Sequence, residues 1–119
     1  MAQSKIGIAA SGGGMSCVYG AGTLLALGEI HGLREPLVAV GSSGSTGSLA
    51  YYVAQQYEAG RRIWCELLSA KDFIDMTRLS NILNIDYLID EVFQKQEPLD
   101  VAAVKSSPTH LFIAATEYE

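Results

Sequence analysis

The patterned part of the chain begins at Ile6-Gly-Ile-Ala-Ala10, a short apolar run ended by glycines, which predicts a buried parallel strand. Beyond the glycines, Val18, Ala21, Leu24, Leu25, Leu27 and Ile30 leave hardly any side of a helix polar. A helix apolar all round is expected to be buried. Gly20, Gly22 and Gly28 would each weaken an exposed helix by up to ~1 kcal/mol, so they are expected to let this one lie close against a sheet. His31-Gly32 ends it, glycine serving as the C-cap. Leu37–Val40 is a second strand, and Thr46 to about Tyr57 a second long helix. A helical stretch over 59–69 follows, with Ile63/Leu67 and Trp64/Leu68 paired at i,i+4.

Residues 70–85 carry no clear period. Ile85, Leu88, Ile89, Val92 and Phe93 then recur at helical spacing and predict an amphipathic helix. Pro98 and Pro108 bracket a linker, and His110–Thr116 is a third strand. The order β-α-β-α-α-α-β predicts a mainly parallel sheet in a three-layer α/β/α sandwich. Glu117-Tyr118-Glu119 follow the last strand directly, with no covering helix, which would leave an apolar sheet edge. Residues 1–119 therefore read as the N-terminal part of a single domain, completed by further sequence of its own or by a second chain.

Composition narrows the function classes. Half the residues are hydrophobic (49%) and 18% charged, enough for a core and without a disorder signature. A net charge of −5 argues against a nucleic-acid surface and gives no attraction to an anionic membrane. Any peripheral membrane contact would have to be local and apolar. No apolar stretch approaches the ~18 residues of a membrane span, and the first ten residues are too short in apolar character for a secretory signal. A cytoplasmic protein is expected. Cys17 and Cys65, 48 residues apart, fit neither a disulfide framework nor a metal site and read as buried reduced thiols.

The candidate chemistry lies at the two glycine-rich strand ends. In Gly41-Ser-Ser-Gly-Ser45, Ser43 occupies the apex of a strand-to-helix turn, where its Oγ is exposed and the Gly44 N–H points at whatever that oxygen attacks. Gly12-Gly13-Gly14, ahead of another helix, can present N–H donors to an oxyanion, with the helix dipole adding positive potential. A serine nucleophile also needs a base. His31 and His110 fall at element ends, and Asp72, Asp75, Asp86, Asp90 and Asp100 in helical or linker stretches, so none is named as that base. A phosphate or nucleotide cradle is an equal reading of the spacing, because Gly41, Gly44 and Gly47 at three-residue steps could form an anion nest. Neither a dinucleotide fingerprint nor a P-loop is present.

Residues 6–27, from Ile6-Gly-Ile-Ala-Ala-Ser-Gly-Gly-Gly onward, resemble the opening of the patatin-like phospholipases, in which an apolar strand runs into a glycine triplet and a buried helix. Val40-Gly-Ser-Ser-Gly-Ser45 resembles that family's nucleophile elbow, and Asp86–Asp90 and Ser107–Thr116 resemble the middle of a bacterial subgroup. The resemblance implies an acyl-ester hydrolase acting on a lipid or small ester through a Ser-Asp dyad, with no cofactor and no metal. It makes Ser43 the nucleophile, assigns Gly12, Gly13 and Gly14 to the oxyanion loop, and puts Gly44 directly after the nucleophile. Ser16 stands where the family has a basic residue, Cys17 where it has a glycine, and Ser45 at the elbow's last glycine. The family's aspartate lies in an Asp-Gly loop beyond the third strand, outside these 119 residues. A non-catalytic scaffold or interaction protein of the same fold is the alternative.

Overall fold

The computed structural model describes residues 5–118. Three strands, β1 (Gly7–Ala10), β2 (Val38–Ser42) and β3 (His110–Ala114), form one parallel sheet in the order β1-β2-β3. Helix α1 (Cys17–Glu29), entered through a 3-10 turn Gly14–Ser16, joins β1 to β2. Helix α2 (Ser45–Val53) follows β2, then α3 (Tyr57–Arg62), which widens into a π-helical turn, π1 (Ile63–Leu67). A second wide helix, π2 (Tyr87–Gln96), and α4 (Val101–Ser106) lead to β3. The α/β class and the parallel sheet expected from the element order are present.

Layering differs from the sandwich expected. The register places Ile8, Ala39 and Leu111 side by side on one face, and Ala9, Val40 and Phe112 on the other. The first row is covered: Ala39 is fully buried, and Leu24 of α1 joins Leu49, Tyr52 and Val53 of α2 in the same cluster. The second row is open, with Val40 40% and Phe112 58% exposed. Among the described residues the helices that pack on the sheet form one layer, not two.

Helix α2 lies at the centre of the fold. Leu49 to Val53 are five consecutive buried residues, which a helix manages only when it has neighbours on every side. Tyr52 and Val53 face the sheet, whereas Tyr51 turns into a second cluster with Ile63, Leu68, Phe73 and Val92. The adjacent tyrosines thus point apart, and each hydroxyl donates to a backbone carbonyl: Tyr51 to Glu97 at 2.5 Å and Tyr52 to Leu33. The helix is shorter than its apolar pattern predicted. Gln55 takes φ +59° and stops it, and the Gln56 side chain then donates to the Pro98 carbonyl and accepts from the Asp100 N–H. That amide holds the linker before α4. Thr109 completes the arrangement by donating its hydroxyl to the Pro36 carbonyl at 2.7 Å, which docks β3 beside β2.

Helix α1 is not buried all round. Cys17, Ala21, Leu24 and Gly28 form its one buried stripe, and Tyr19 is 81% exposed. Its glycines do not meet the sheet either. Gly28 meets Tyr57, where a Cβ would lie 2.6–2.8 Å from ring atoms, while Gly20 and Gly22 would meet nothing within 4 Å. Of the two cysteines, Cys17 is buried and Cys65 is exposed, contrary to the expectation for the latter. Segment 70–85, which has no sequence period, closes on itself through an antiparallel bridge between Ile74 and Leu83.

Two consequences can be measured. Gly28→Ala should lower stability by about 1–3 kcal/mol in urea unfolding, because an added methyl must displace an aromatic ring, whereas Gly22→Ala should raise it by up to about 1 kcal/mol through helix propensity. Burial, aided by the Glu97 carboxylate, pushes the Tyr51 hydroxyl up to about 12, and burial beside Tyr57 does the same for Tyr52. A raised value in the folded state means that the fold holds these protons more tightly than the unfolded chain does. Their stabilisation is therefore complete below the ordinary tyrosine value of about 10 and is lost as the pH rises towards 12. Tyr51→Phe and Tyr52→Phe should each flatten that alkaline decline when unfolding is followed across the interval.

Candidate active site

Ser43 sits between β2 and α2, at the carboxyl end of the central strand, where open α/β sheets bind their ligands. Its φ is +51°, in the left-handed region that a residue with a side chain adopts at a cost of order 1–3 kcal/mol. The side chain is exposed. Thr46 N–H returns to the Ser43 carbonyl at 3.1 Å and starts the helix. A strained, exposed serine on a strand-turn-helix is the geometry of a nucleophile elbow.

Two small residues, Gly41 and Ser45, make the turn. At Gly41 an added Cβ would lie 2.5 Å from Leu49 Cδ1, so only glycine lets α2 fold back this closely over β2. Ser45 is 4% exposed, and its Oγ accepts from the Ser42 N–H at 3.1 Å. The same oxygen has the carbonyls of Ala10 and Ser42 at 2.9 and 2.8 Å, so its single proton is donated to one or other of them. One buried hydroxyl thereby ties the end of β1 to the end of β2 and to the first turn of α2. The sequence marked Ser45 only as a departure from glycine; its side chain is what fastens the elbow.

The glycine loop lies against this turn. A Cβ on Gly12 would approach Ser43 Cβ to 2.9 Å, and one on Gly44 would stand 2.9 Å from Cys17 Sγ and 3.1 Å from the Gly14 carbonyl. Gly13 (φ +154°) and Gly14 (φ +58°) both have backbones that side chains disfavour, and the Gly13 carbonyl accepts from Ser16 N–H and Oγ at 3.2 and 2.7 Å. Ser16, where a basic residue was the family expectation, is thus a turn-former. Cys17 is a filler beneath the elbow, its thiol 3.7 Å from the Ser11 carbonyl. The N–H groups of Gly12, Gly13, Gly14 and Gly44 make no backbone hydrogen bond among the described residues.

The five residues singled out in the sequence therefore meet at one place. No ionisable side chain occurs in 11–16 or 41–48, so the local field comes from the two helix starts that converge there. The nest allowed by Gly41, Gly44 and Gly47 is not built, because Gly47 lies inside α2 with its α-carbon against the Phe93 ring.

No described carboxylate or imidazole is hydrogen-bonded to Ser43. His110 pairs with Val38 at the amino end of the strands, four residues and about 13 Å of strand from the Ser42–Ala114 end. His31 is exposed at the end of α1. Asp100 caps α4, Asp90 accepts from Gln94, and Asp72 and Asp86 are exposed. Asp75 accepts from the Thr77 hydroxyl and N–H, which, with the charge of Arg78, hold its carboxyl below the usual range. No group of three or more metal-ligating side chains occurs among the described residues.

A scan of protein-family models and searches of curated proteins and of solved structures find no match to this chain. No described helix is long and apolar enough to cross a membrane. Ser45→Ala removes a buried hydroxyl that serves several backbone groups and should cost about 1–3 kcal/mol. Chemical unfolding measures the loss, and amide exchange at Ser42 should accelerate.

Proposed function

We propose that the chain carries the nucleophile and oxyanion half of a serine acyl hydrolase acting on carboxylic esters, lipid esters among them. The observation that carries this reading is the left-handed backbone of Ser43 in van der Waals contact with the Gly12–Gly14 loop. In this reaction Ser43 Oγ attacks the ester carbonyl carbon and its proton passes to a base. The N–H groups of Gly13, Gly14 and Gly44 then hold the oxyanion of the tetrahedral intermediate, each such donor lowering the barrier by roughly 2.7–4 kcal/mol. Collapse expels the alcohol and leaves an acyl-serine, which water cleaves. The base is an aspartate supplied by further sequence of the same domain or by a second chain. No cofactor takes part. The reading includes a cytoplasmic location, in keeping with two cysteines that are both free thiols.

A second reading, an inactive patatin-like scaffold, is favoured by one observation: no described acid or imidazole is hydrogen-bonded to Ser43. A fluorophosphonate reagent separates the two. Covalent labelling of the wild type that disappears in Ser43→Ala supports the hydrolase. An unlabelled wild type, or labelling that survives the substitution, sinks it in favour of the scaffold.

A further inference from the structure

Beside the glycine loop a cavity of about 330 Å³ opens between the free edge of β1 and the flank of α1. That volume lies at the lower end of the range for small-molecule sites, about 300–1,000 Å³. Its character changes along its length. Ser11, Gly12 and Ser16 line one end, and Gly12 is also the residue against which Ser43 leans. Ile8, Tyr19, Thr23, Leu24 and Leu27 lie further along β1 and α1, so the rest of the wall is mainly apolar. None of the described residues that border it carries a charge, so a phosphate or an ammonium group gains no ionic partner from this lining. Gly20 of α1 is exposed and lines the cavity, and a Cβ there would meet nothing within 4 Å, so this part of the wall carries no side chain.

We infer that this cavity is the acyl-chain subsite, that it accepts an unbranched aliphatic chain of medium length, and that Gly20 sets how long that chain can be. The inference rests on the acyl-hydrolase reading of Ser43. The carbonyl end lies at the glycine loop and the methyl end against Leu24 and Leu27, while the alcohol or headgroup stays outside. At roughly 30 Å³ for a water-sized unit, the volume holds on the order of ten such groups. Chains of about eight to ten carbons fit on this scale, and much longer ones must leave their distal part in solvent.

The test reads binding without requiring turnover. Decanoate is titrated calorimetrically into the 119-residue chain and into Gly20→Leu, Thr23→Leu and Gly22→Leu. Gly20 and Thr23 border the cavity, whereas Gly22 is exposed on the same helix outside it. Gly20→Leu and Thr23→Leu should each weaken decanoate by about tenfold or more, the effect of turning away two buried methylenes, with Gly22→Leu unchanged. Circular dichroism verifies the fold of each variant, and Thr23→Leu decides the matter should Gly20→Leu fail to fold. Absence of decanoate binding to the wild type, or equal affinity in all variants, overturns the subsite. Decanoate binding together with a wild type that fluorophosphonate does not label leaves the subsite standing and removes the hydrolase reading instead.

Discussion

The close approach of α2 to β2 is the constraint on which the rest of the molecule depends. Gly41 has no side chain, so Leu49 can occupy the space above it, and only two residues, Ser43 and Gly44, are left between β2 and α2 to reverse the chain. Ser43 absorbs that reversal in its backbone. The buried hydroxyl of Ser45 satisfies the polar groups exposed by so tight a turn and carries the tie across to β1. Because α2 is pulled down in this way, both of its faces are used, one against the sheet and one against the helices that follow. The elbow is therefore part of the packing as much as of any chemistry.

Much of this was legible in the sequence, and the reasons differ from place to place. Strands β1 and β2 and the start of α1 were readable because short apolar runs ending in glycine have few other uses. The convergence of Gly12–Gly14 with Ser43 followed from parallel topology, since successive βα turns lie at the same end of a sheet. Burial was less accessible. The periodicity of α1 counted apolar residues but could not say that only one face would find a partner, so Tyr19 and Val18 are left in solvent. The stop at Gln55 was hidden because the helical pattern can be continued through Tyr57, and neither the left-handed backbone of Gln55 nor the long-range contacts of the Gln56 amide to Pro98 and Asp100 leave a mark in the local sequence. Ser45 looked like a misfit to a motif; nothing in one sequence reveals that a serine hydroxyl will be buried among three backbone groups.

The sheet has two unlike faces. One is closed by Leu24, Leu49 and Tyr52; the other presents Ala9, Val40 and Phe112 as a continuous cross-strand row. Exposed apolar rows of this kind carry a standing tendency to associate. The same asymmetry keeps the carboxyl ends of the strands accessible, because no second helical layer rises beside the Ser43 turn among the described residues.

The hydrogen bond from Thr109 to the Pro36 carbonyl spans 73 residues of chain, as do the pairings of β2 with β3 that follow it to within a residue or so. Contacts so distant in sequence pay their loop-closure entropy before they return any stability, and folds that rely on them form slowly. During synthesis, β2 emerges long before its neighbour and must wait with one edge and one apolar row unmatched. Residues 37–42 are thus the stretch most exposed to wrong pairing in the newborn chain, and the timing of β3's arrival limits how long that exposure lasts.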